Sequence, residues 1–97
     1  DNILISIEEQ LDEIDTNIDY EISSGILNII MPNKSQIIIN RQSGNFQLWM
    51  AAKSGGFHFD YNEEQKKWLD TRSQLSFIDS LNQCLYQQSG EKFNLSM

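Results

Sequence analysis

The carboxylates of this chain are concentrated at its beginning. Eight of the fourteen Asp and Glu residues fall within the first 21 positions, and no Lys or Arg occurs before Lys34. The eight are Asp1, Glu8, Glu9, Asp12, Glu13, Asp15, Asp19 and Glu21. Carboxylate oxygens are the ligands that hard cations prefer, and they also attract positively charged protein surfaces. An acidic run can equally be a solvated face, so the run by itself leaves both interpretations open.

The spacing within this run predicts like-charged neighbours. Glu8 and Asp12 are four residues apart, as are Glu9 and Glu13. On a helix, residues at this spacing are adjacent, and each like-charged pair costs about 0.2–0.5 kcal/mol. The repulsion must be offset by a bound cation, a basic partner or solvation.

Composition limits the classes of protein to which the chain can belong. Its 97 residues, 39% of them hydrophobic, suit one folded domain. A net charge of −7 and a pI near 4.4 argue against nucleic acids and against anionic membranes as partners. The sequence contains no apolar run of bilayer length and no signal peptide. The lone Cys84 is expected to be a buried thiol in a reducing compartment, so we expect a cytoplasmic protein.

Hydrophobic periodicity predicts a helix, a series of strands and a second helix. Apolar residues spaced by three and four predict an amphipathic helix over 3–14 that begins upstream of the sequence given. Ser76 and Asp79 resemble a capping box at the start of the last helix, and Gly90 is expected to end it. Strands are predicted at 18–22, 26–31, 36–40, 46–52, 57–61 and around 67–69, with a polar loop over 41–45 and a turn at 54–56.

These elements predict an α+β fold of two layers. The connections of two to five residues favour antiparallel hairpins, because parallel crossovers need a dozen or more residues. The N- and C-terminal helices can then cover one face of an antiparallel sheet of five to six strands and leave the other face in solvent. We expect residues 1–97 to form this one domain.

Alternation along two strands predicts which residues line each face of the sheet. The residues expected beneath the helices are Phe46, Leu48, Met50, Phe57 and Phe59. Trp49 is then expected on the uncovered face with Gln47, His58 and Asp60. An exposed Trp is a frequent anchor in protein interfaces, although it can also serve packing alone. His58 beside Asp60 could bind a metal, but solvated polar residues are the simpler interpretation. The sequence lacks the motifs of phosphate-binding loops, dinucleotide folds and zinc sites.

Several stretches resemble the bacterial frataxin family, CyaY, and together they cover essentially the whole chain. The stretches are Ile7-Glu-Glu-Gln-Leu-Asp-Glu13, Ile37-Ile-Ile-Asn-Arg-Gln42, Gln47-Leu-Trp49, Ala52-Lys-Ser-Gly-Gly-Phe-His-Phe-Asp60, Trp68, Thr71-Arg-Ser73 and Gln88-Ser-Gly-Glu-Lys92. One departure is Gln74, which stands where the family has a Gly after the Arg-Ser pair.

The resemblance implies the frataxin fold and an iron-binding protein that regulates iron–sulfur cluster assembly, or supplies its iron, through contact with the cysteine desulfurase and the scaffold protein. It implies that an acidic ridge binds Fe²⁺ or Fe³⁺ weakly. The acidic ridge comprises Glu8, Glu9, Asp12, Glu13, Asp15, Asp19 and Glu21. It also implies a contact patch for the partner, which comprises Asn40, Arg41, Gln42, Gln47, Trp49 and His58.

Two other functions remain open at this point. A ferroxidase would need a defined site that stabilises Fe³⁺ and handles O₂, and the sequence shows no Glu-x-x-His di-iron pattern. A pure interaction module would use the acidic ridge to bind a basic partner, with iron binding incidental. We expect a protein that is not an enzyme and is monomeric, with iron-dependent oligomerisation as the alternative.

Overall fold

The computed structural model describes residues 2–14, 17–42 and 47–96, and it has the predicted two-layer α+β architecture. Two helices flank six strands in chain order. The elements are α1 (Asn2–Glu13), β1 (Asp19–Ser23), β2 (Ile26–Ile30), β3 (Gln36–Gln42), β4 (Gln47–Ala52), β5 (Gly55–Asn62), β6 (Lys67–Asp70) and α2 (Phe77–Ser89). The strands form one sheet in the order β1-β2-β3-β4-β5-β6, and every neighbouring pair is antiparallel. Neither described helix has the length and hydrophobicity that a bilayer span requires.

Side-chain alternation places the apolar residues of the strands beneath the helices, as predicted. Leu48, Met50 and Phe59 are at most 2% exposed, whereas His58 and Asp60 are exposed on the other face. Phe59 contacts Phe77 of α2 edge to face, with ring centroids 5.3 Å apart. Phe57 is half-buried against the same core, and the predicted core position 46 lies outside the described residues.

Two strand boundaries differ from the prediction. The predicted loop over 41–45 was wrong at its start, because β3 continues through Arg41 and Gln42, which pair with Leu48 and Gln47. The predicted turn at 54–56 was also wrong in part, since β5 begins at Gly55. In both places the pairing strand supplies partners for backbone groups that would otherwise be unpaired. Polarity and glycine content do not reveal such partners.

The ends of α2 agree with their predicted signals. Ser76 has extended backbone angles, and its hydroxyl accepts a hydrogen bond from the Asp79 N–H at 3.2 Å. Gly90 has a φ of 79°, in the left-handed region that favours glycine, and its N–H donates to the Tyr86 carbonyl. Gln74 also has a positive φ, 66°. This backbone conformation favours glycine, the residue expected at this position in the family.

Gln88 links α2 to two turns of the sheet layer. Its side chain is 7% exposed, and its amide nitrogen donates to the Ser35 hydroxyl at 3.0 Å. Its amide oxygen accepts from the Lys53 N–H at 2.8 Å, and its carbonyl accepts from the Asn33 side chain at 2.7 Å. One residue of α2 therefore holds both the β2–β3 turn and the β4–β5 turn.

Replacing Gln88 by Leu should therefore destabilise the fold. We expect a loss of about 2–3 kcal/mol in the free energy of unfolding, because partly buried groups of two turns lose their partners. Urea unfolding followed by circular dichroism measures the change. Gln87→Leu is the matched control, since Gln87 is exposed on the same helix and should change stability by no more than about 0.5 kcal/mol. Equal losses in the two variants would contradict the role given to Gln88.

Candidate functional site

The amphipathic spacing of α1 positions the helical part of the acidic ridge. Leu4, Ile7 and Leu11 are at most 4% exposed and hold the inner side of the helix against the core. The positions between them therefore point away from the core. Glu9, Asp12 and Glu13 are exposed and Glu8 is half-buried, so α1 presents four carboxylates along its outer side.

A hydrogen bond joins this carboxylate surface to the first strand. The Tyr20 hydroxyl donates to the Asp12 carboxylate. That hydrogen bond, with smaller contributions from burial and from the negative charges of Asp12 and Glu8, raises the pKa of Tyr20 to about 12. The neutral phenol is favoured because its anion would lose the hydrogen bond and face two carboxylates. Tyr20 is thus a neutral donor at the centre of the acidic surface.

The acidic ridge is divided between the two sides of the sheet. Tyr20 faces α1, so its neighbours Asp19 and Glu21 project from the opposite face of the edge strand β1. The strand register supports this placement. Glu21 pairs with Asn28, and Asn28 pairs with Ile38, which lies on the open face of the sheet. Both carboxylates are exposed. Asp19 and Glu21 therefore lie on a different face from the carboxylates of α1, and Asp15 lies outside the described residues. Membership of all seven carboxylates in one cation-binding ridge stays a prediction.

Within the described residues, no group of three or more His, Cys, Asp or Glu side chains could hold a metal ion together. The carboxylates of α1 are instead spread along an open surface. Separate carboxylates of this kind suit a hydrated hard cation, which keeps most of its water ligands, better than a tightly coordinated one. The surface has little basis for selecting one hard cation over another.

The open face of the sheet carries a connected set of side chains around Trp49. The rings of Trp49 and His58 are stacked, with centroids 4.6 Å apart and planes at 20°. The Trp49 indole N–H donates to the Gln47 amide oxygen at 2.9 Å, and the Gln47 amide nitrogen donates to Asp60 at 2.8 Å. Asn40 pairs with Trp49 from the neighbouring strand. The predicted grouping of Trp49, Gln47, His58 and Asp60 on one face is confirmed.

Arg41 departs from the predicted contact patch. It pairs with Leu48, which is buried on the helix side, so Arg41 lies on the opposite face from Trp49. Its guanidinium sits over the Trp68 ring, with 4.7 Å between Cζ and the ring centroid, and donates to the Gln47 carbonyl. Arg41 therefore does not share a face with Trp49, because the strand continues and alternation turns its side chain away. Its part in partner binding stays a prediction. Gln42 is the register partner of Gln47.

Sequence reasoning missed two apolar members of the open face. Ile26 and Ile38 are each 39% exposed, in positions beside Asn40 and Trp49 on neighbouring strands. A depression of about 210 Å³ lies next to Ile38 and Trp49, above Gly56, which has no side chain to fill it. The alternation of β2 and β3 contained the signal, because their fully buried residues leave Ile26 and Ile38 on the other face.

Cys84 is buried, as expected. Burial raises the pKa of its thiol, and the contact with the Ser54 hydroxyl opposes that shift. The thiol is therefore held in its protonated form, which is a poor nucleophile and a poor metal ligand.

Comparison with known proteins identifies the family to which this fold belongs. The model of the frataxin-like domain matches residues 1–91. The chain is 41% identical over 88 residues to the iron-sulfur cluster assembly protein CyaY of Pseudomonas fluorescens strain Pf0-1, which covers 91% of the chain and 80% of that relative. It is 39% identical over 89 residues to the protein of the same name from Pseudomonas entomophila strain L48, covering 92% and 81%. The chain belongs to the frataxin family, in its bacterial CyaY branch.

Solved structures agree with this assignment. Frataxin from Psychromonas ingrahamii superposes with a TM-score of 0.88 at 32% identity and covers 99% of this chain and 90% of its own. Trimeric frataxin from Saccharomyces cerevisiae, solved in complex with ferrous iron, gives a TM-score of 0.69 at 26% identity, covering 93% and 80%. The predicted frataxin fold is confirmed.

The Tyr20–Asp12 contact predicts a late tyrosine titration. One of the three phenols should titrate near pH 12, and Asp12→Asn should lower that pKa, because the variant weakens the hydrogen bond that the neutral phenol donates and removes the carboxylate charge. The neutral phenol stabilises the fold fully below about pH 10, and this contribution is lost as the pH rises through about 12. Near-ultraviolet absorbance of tyrosinate measures the titration, with circular dichroism to verify folding. Tyr86→Phe is the control and should leave the late step unchanged; a late step that persists in Tyr20→Phe would contradict the assignment.

Proposed function

We propose that this protein acts in iron–sulfur cluster assembly, where it binds Fe²⁺ or Fe³⁺ weakly at the carboxylates of α1 and contacts the cysteine desulfurase and its scaffold protein. The observation that carries the proposal is the outward projection of Glu8, Glu9, Asp12 and Glu13 from one helix side. The names of the CyaY relatives and the ferrous complex of the yeast protein support it.

Iron is a cargo in this proposal, held by individual carboxylates. Glu9 and Glu13 are four residues apart on α1 and both are exposed, so a cation between them would relieve their repulsion. The Asp12 carboxylate already accepts the Tyr20 hydrogen bond and has a free oxygen for a water ligand of the cation. Such contacts give weak binding that readily transfers the ion to a partner with a closed site.

A second surface is proposed for the partner. Trp49, His58 and Gln47 hold one another in place on the open face, so they lose little side-chain freedom on binding. Ile26 and Ile38 add exposed apolar area beside them. A large ring with apolar neighbours and a polar rim is the composition of a binding hot spot.

Another candidate function is an acidic interaction module that binds iron only incidentally. It is favoured by one observation, the lack of a metal-holding group of three or more side chains within the described residues. The two functions differ in whether Fe²⁺ changes the affinity for the desulfurase. The proposal of a cytoplasmic monomer also stands, with the trimeric yeast relative as the motive for testing oligomerisation with iron.

Neutralising one ridge pair should weaken iron binding while stabilising the fold. For Glu9→Gln/Glu13→Gln we expect a several-fold weaker Fe²⁺ affinity in anaerobic calorimetry and a gain of about 0.2–0.5 kcal/mol in unfolding free energy. Glu63→Gln/Glu64→Gln makes the same charge change at two exposed turn residues far along the chain. This control should leave iron binding nearly unchanged.

Equal Fe²⁺ affinities in the two double variants would show that α1 is a solvated face. Desulfurase binding is measured on the same proteins with and without Fe²⁺. A loss of desulfurase affinity in the α1 variant that is the same in both conditions would favour the interaction module instead.

Truncating Trp49 should separate the two surfaces. Because Trp49 is half-buried on the open face, Trp49→Ala should cost less than the roughly 3–5 kcal/mol typical of a core Trp. Iron affinity should persist and partner binding should fall. Trp68→Ala is the comparison, since Trp68 packs against the core and should cost more stability. Undiminished partner binding by folded Trp49→Ala would exclude the open face as the docking surface.

A further inference from the structure

A cavity lies at the β6 edge of the sheet, the edge opposite β1. It has a volume of about 470 Å³ and is bounded by the β5–β6 hairpin, the start of α2 and residues 95–96. This volume is within the range of small-molecule sites. Neither the carboxylates of α1 nor the contact patch around Trp49 takes part in it, so the proposed function does not account for it.

One wall of the cavity is aromatic. Tyr61 and Trp68 project from the helix side of β5 and β6 and meet edge to face, with centroids 5.3 Å apart and planes at 63°. Tyr61 is 47% exposed, so one face of its ring is open to the cavity. Arg41 covers the Trp68 ring and restrains it. The wall is thus a restrained pair of rings with room beside it for a planar ligand.

The lining of the cavity contains two basic residues and one acidic residue, Asp79. Lys66 and Lys67 both line it, and neither ammonium group forms an ion pair within the described ranges of the chain. They are two of only seven basic residues in a chain of net charge −7. The first turn of α2 begins after Ser76 in the cavity wall and adds N–H groups that have no carbonyl partner within the helix, of which that of Asp79 is already bonded to the Ser76 hydroxyl.

We propose that this cavity binds a small organic anion with an aromatic body. The ring would lie against Tyr61 and Trp68, and the anionic group would be held mainly by Lys66, in the turn before β6. Lys67 precedes Trp68 in β6, so its side chain starts on the opposite face and would reach the anion around the edge of the sheet. The Asp79 carboxylate also lines the cavity and opposes the anion. The site is therefore expected to bind the anion more tightly when Asp79 loses its charge. Removing the lysine charges should have the opposite effect on affinity.

The experiment is an NMR titration of the ¹⁵N-labelled full chain with 1-naphthaleneacetate. Its neutral isostere 1-naphthaleneacetamide and acetate alone are titrated separately, to test the charge and the ring. We expect saturable shifts at the cavity-lining residues for naphthaleneacetate, with weaker binding of both analogues. Lys66→Gln/Lys67→Gln should weaken binding about five- to tenfold, because two partly exposed positive charges no longer attract the anion. Asp79→Asn should tighten binding about two- to threefold, because one partly exposed negative charge no longer repels it.

Lys34→Gln/Lys53→Gln is the control, because it removes the same charge from exposed lysines outside the cavity and should change affinity less than twofold. The amide spectra of all variants verify that the fold is intact. The proposal is overturned by an absence of saturable binding, by equal affinity for the neutral isostere, or by equal losses in the two lysine variants. Shifts confined to Trp49 and Ile38 would likewise overturn it, because the ring would then bind to the open face.

Discussion

Burial of one sheet face by two helices is the constraint on which the rest of this structure depends. In antiparallel strands, successive side chains point to opposite faces, so covering one face leaves the alternate residues in solvent. The covered side takes Leu48, Met50 and Phe59, and the packing of Phe59 against Phe77 ties α2 to it. Gln88 then sets where α2 lies by bonding two turns of the sheet layer. Trp49 is on the open face because its strand neighbours Leu48 and Met50 are buried beneath the helices.

The same constraint separates the charges. α1 packs through its apolar side and presents its carboxylates next to the edge strand β1, whereas Lys66 and Lys67 follow from the hairpin at the other edge. Repulsion along α1 is tolerated because each exposed pair costs only a fraction of a kcal/mol. Tyr20 adds a neutral donor to this surface, which stabilises the Asp12 carboxylate without cancelling its charge. The surface therefore keeps the potential that a cation or a basic partner would meet.

Local signals in the sequence predicted much of the fold, and the long-range register decided the remainder. The Ser76 cap, the Gly90 terminus and the faces of Leu48 and Trp49 depend on neighbours within a few residues, and each was predicted correctly. The face occupied by Arg41 was not predicted, because its pairing with Leu48 continues a strand through polar residues that the sequence indicated as a loop. Asp19 and Glu21 were grouped with α1 because charge composition says nothing about which face of an edge strand they occupy. The cavity beside Tyr61 and Trp68 joins the hairpin, α2 and the tail, so no single stretch reveals it.

The carboxylates of α1 and the open face around Trp49 are separate surfaces, and in the proposed function they would have different roles. Exposed carboxylates act at a distance of about a Debye length, roughly 8–10 Å at physiological salt, so α1 is suited to accelerating encounter with a basic partner. The stacked rings of Trp49 and His58 interact with a partner only at contact distance. Because these side chains are already ordered before binding, they favour a complex that dissociates slowly. A cation bound at α1 would cancel part of the charge that speeds encounter while leaving the contact surface intact. Iron would then alter how fast the partner is found more than how long it is held.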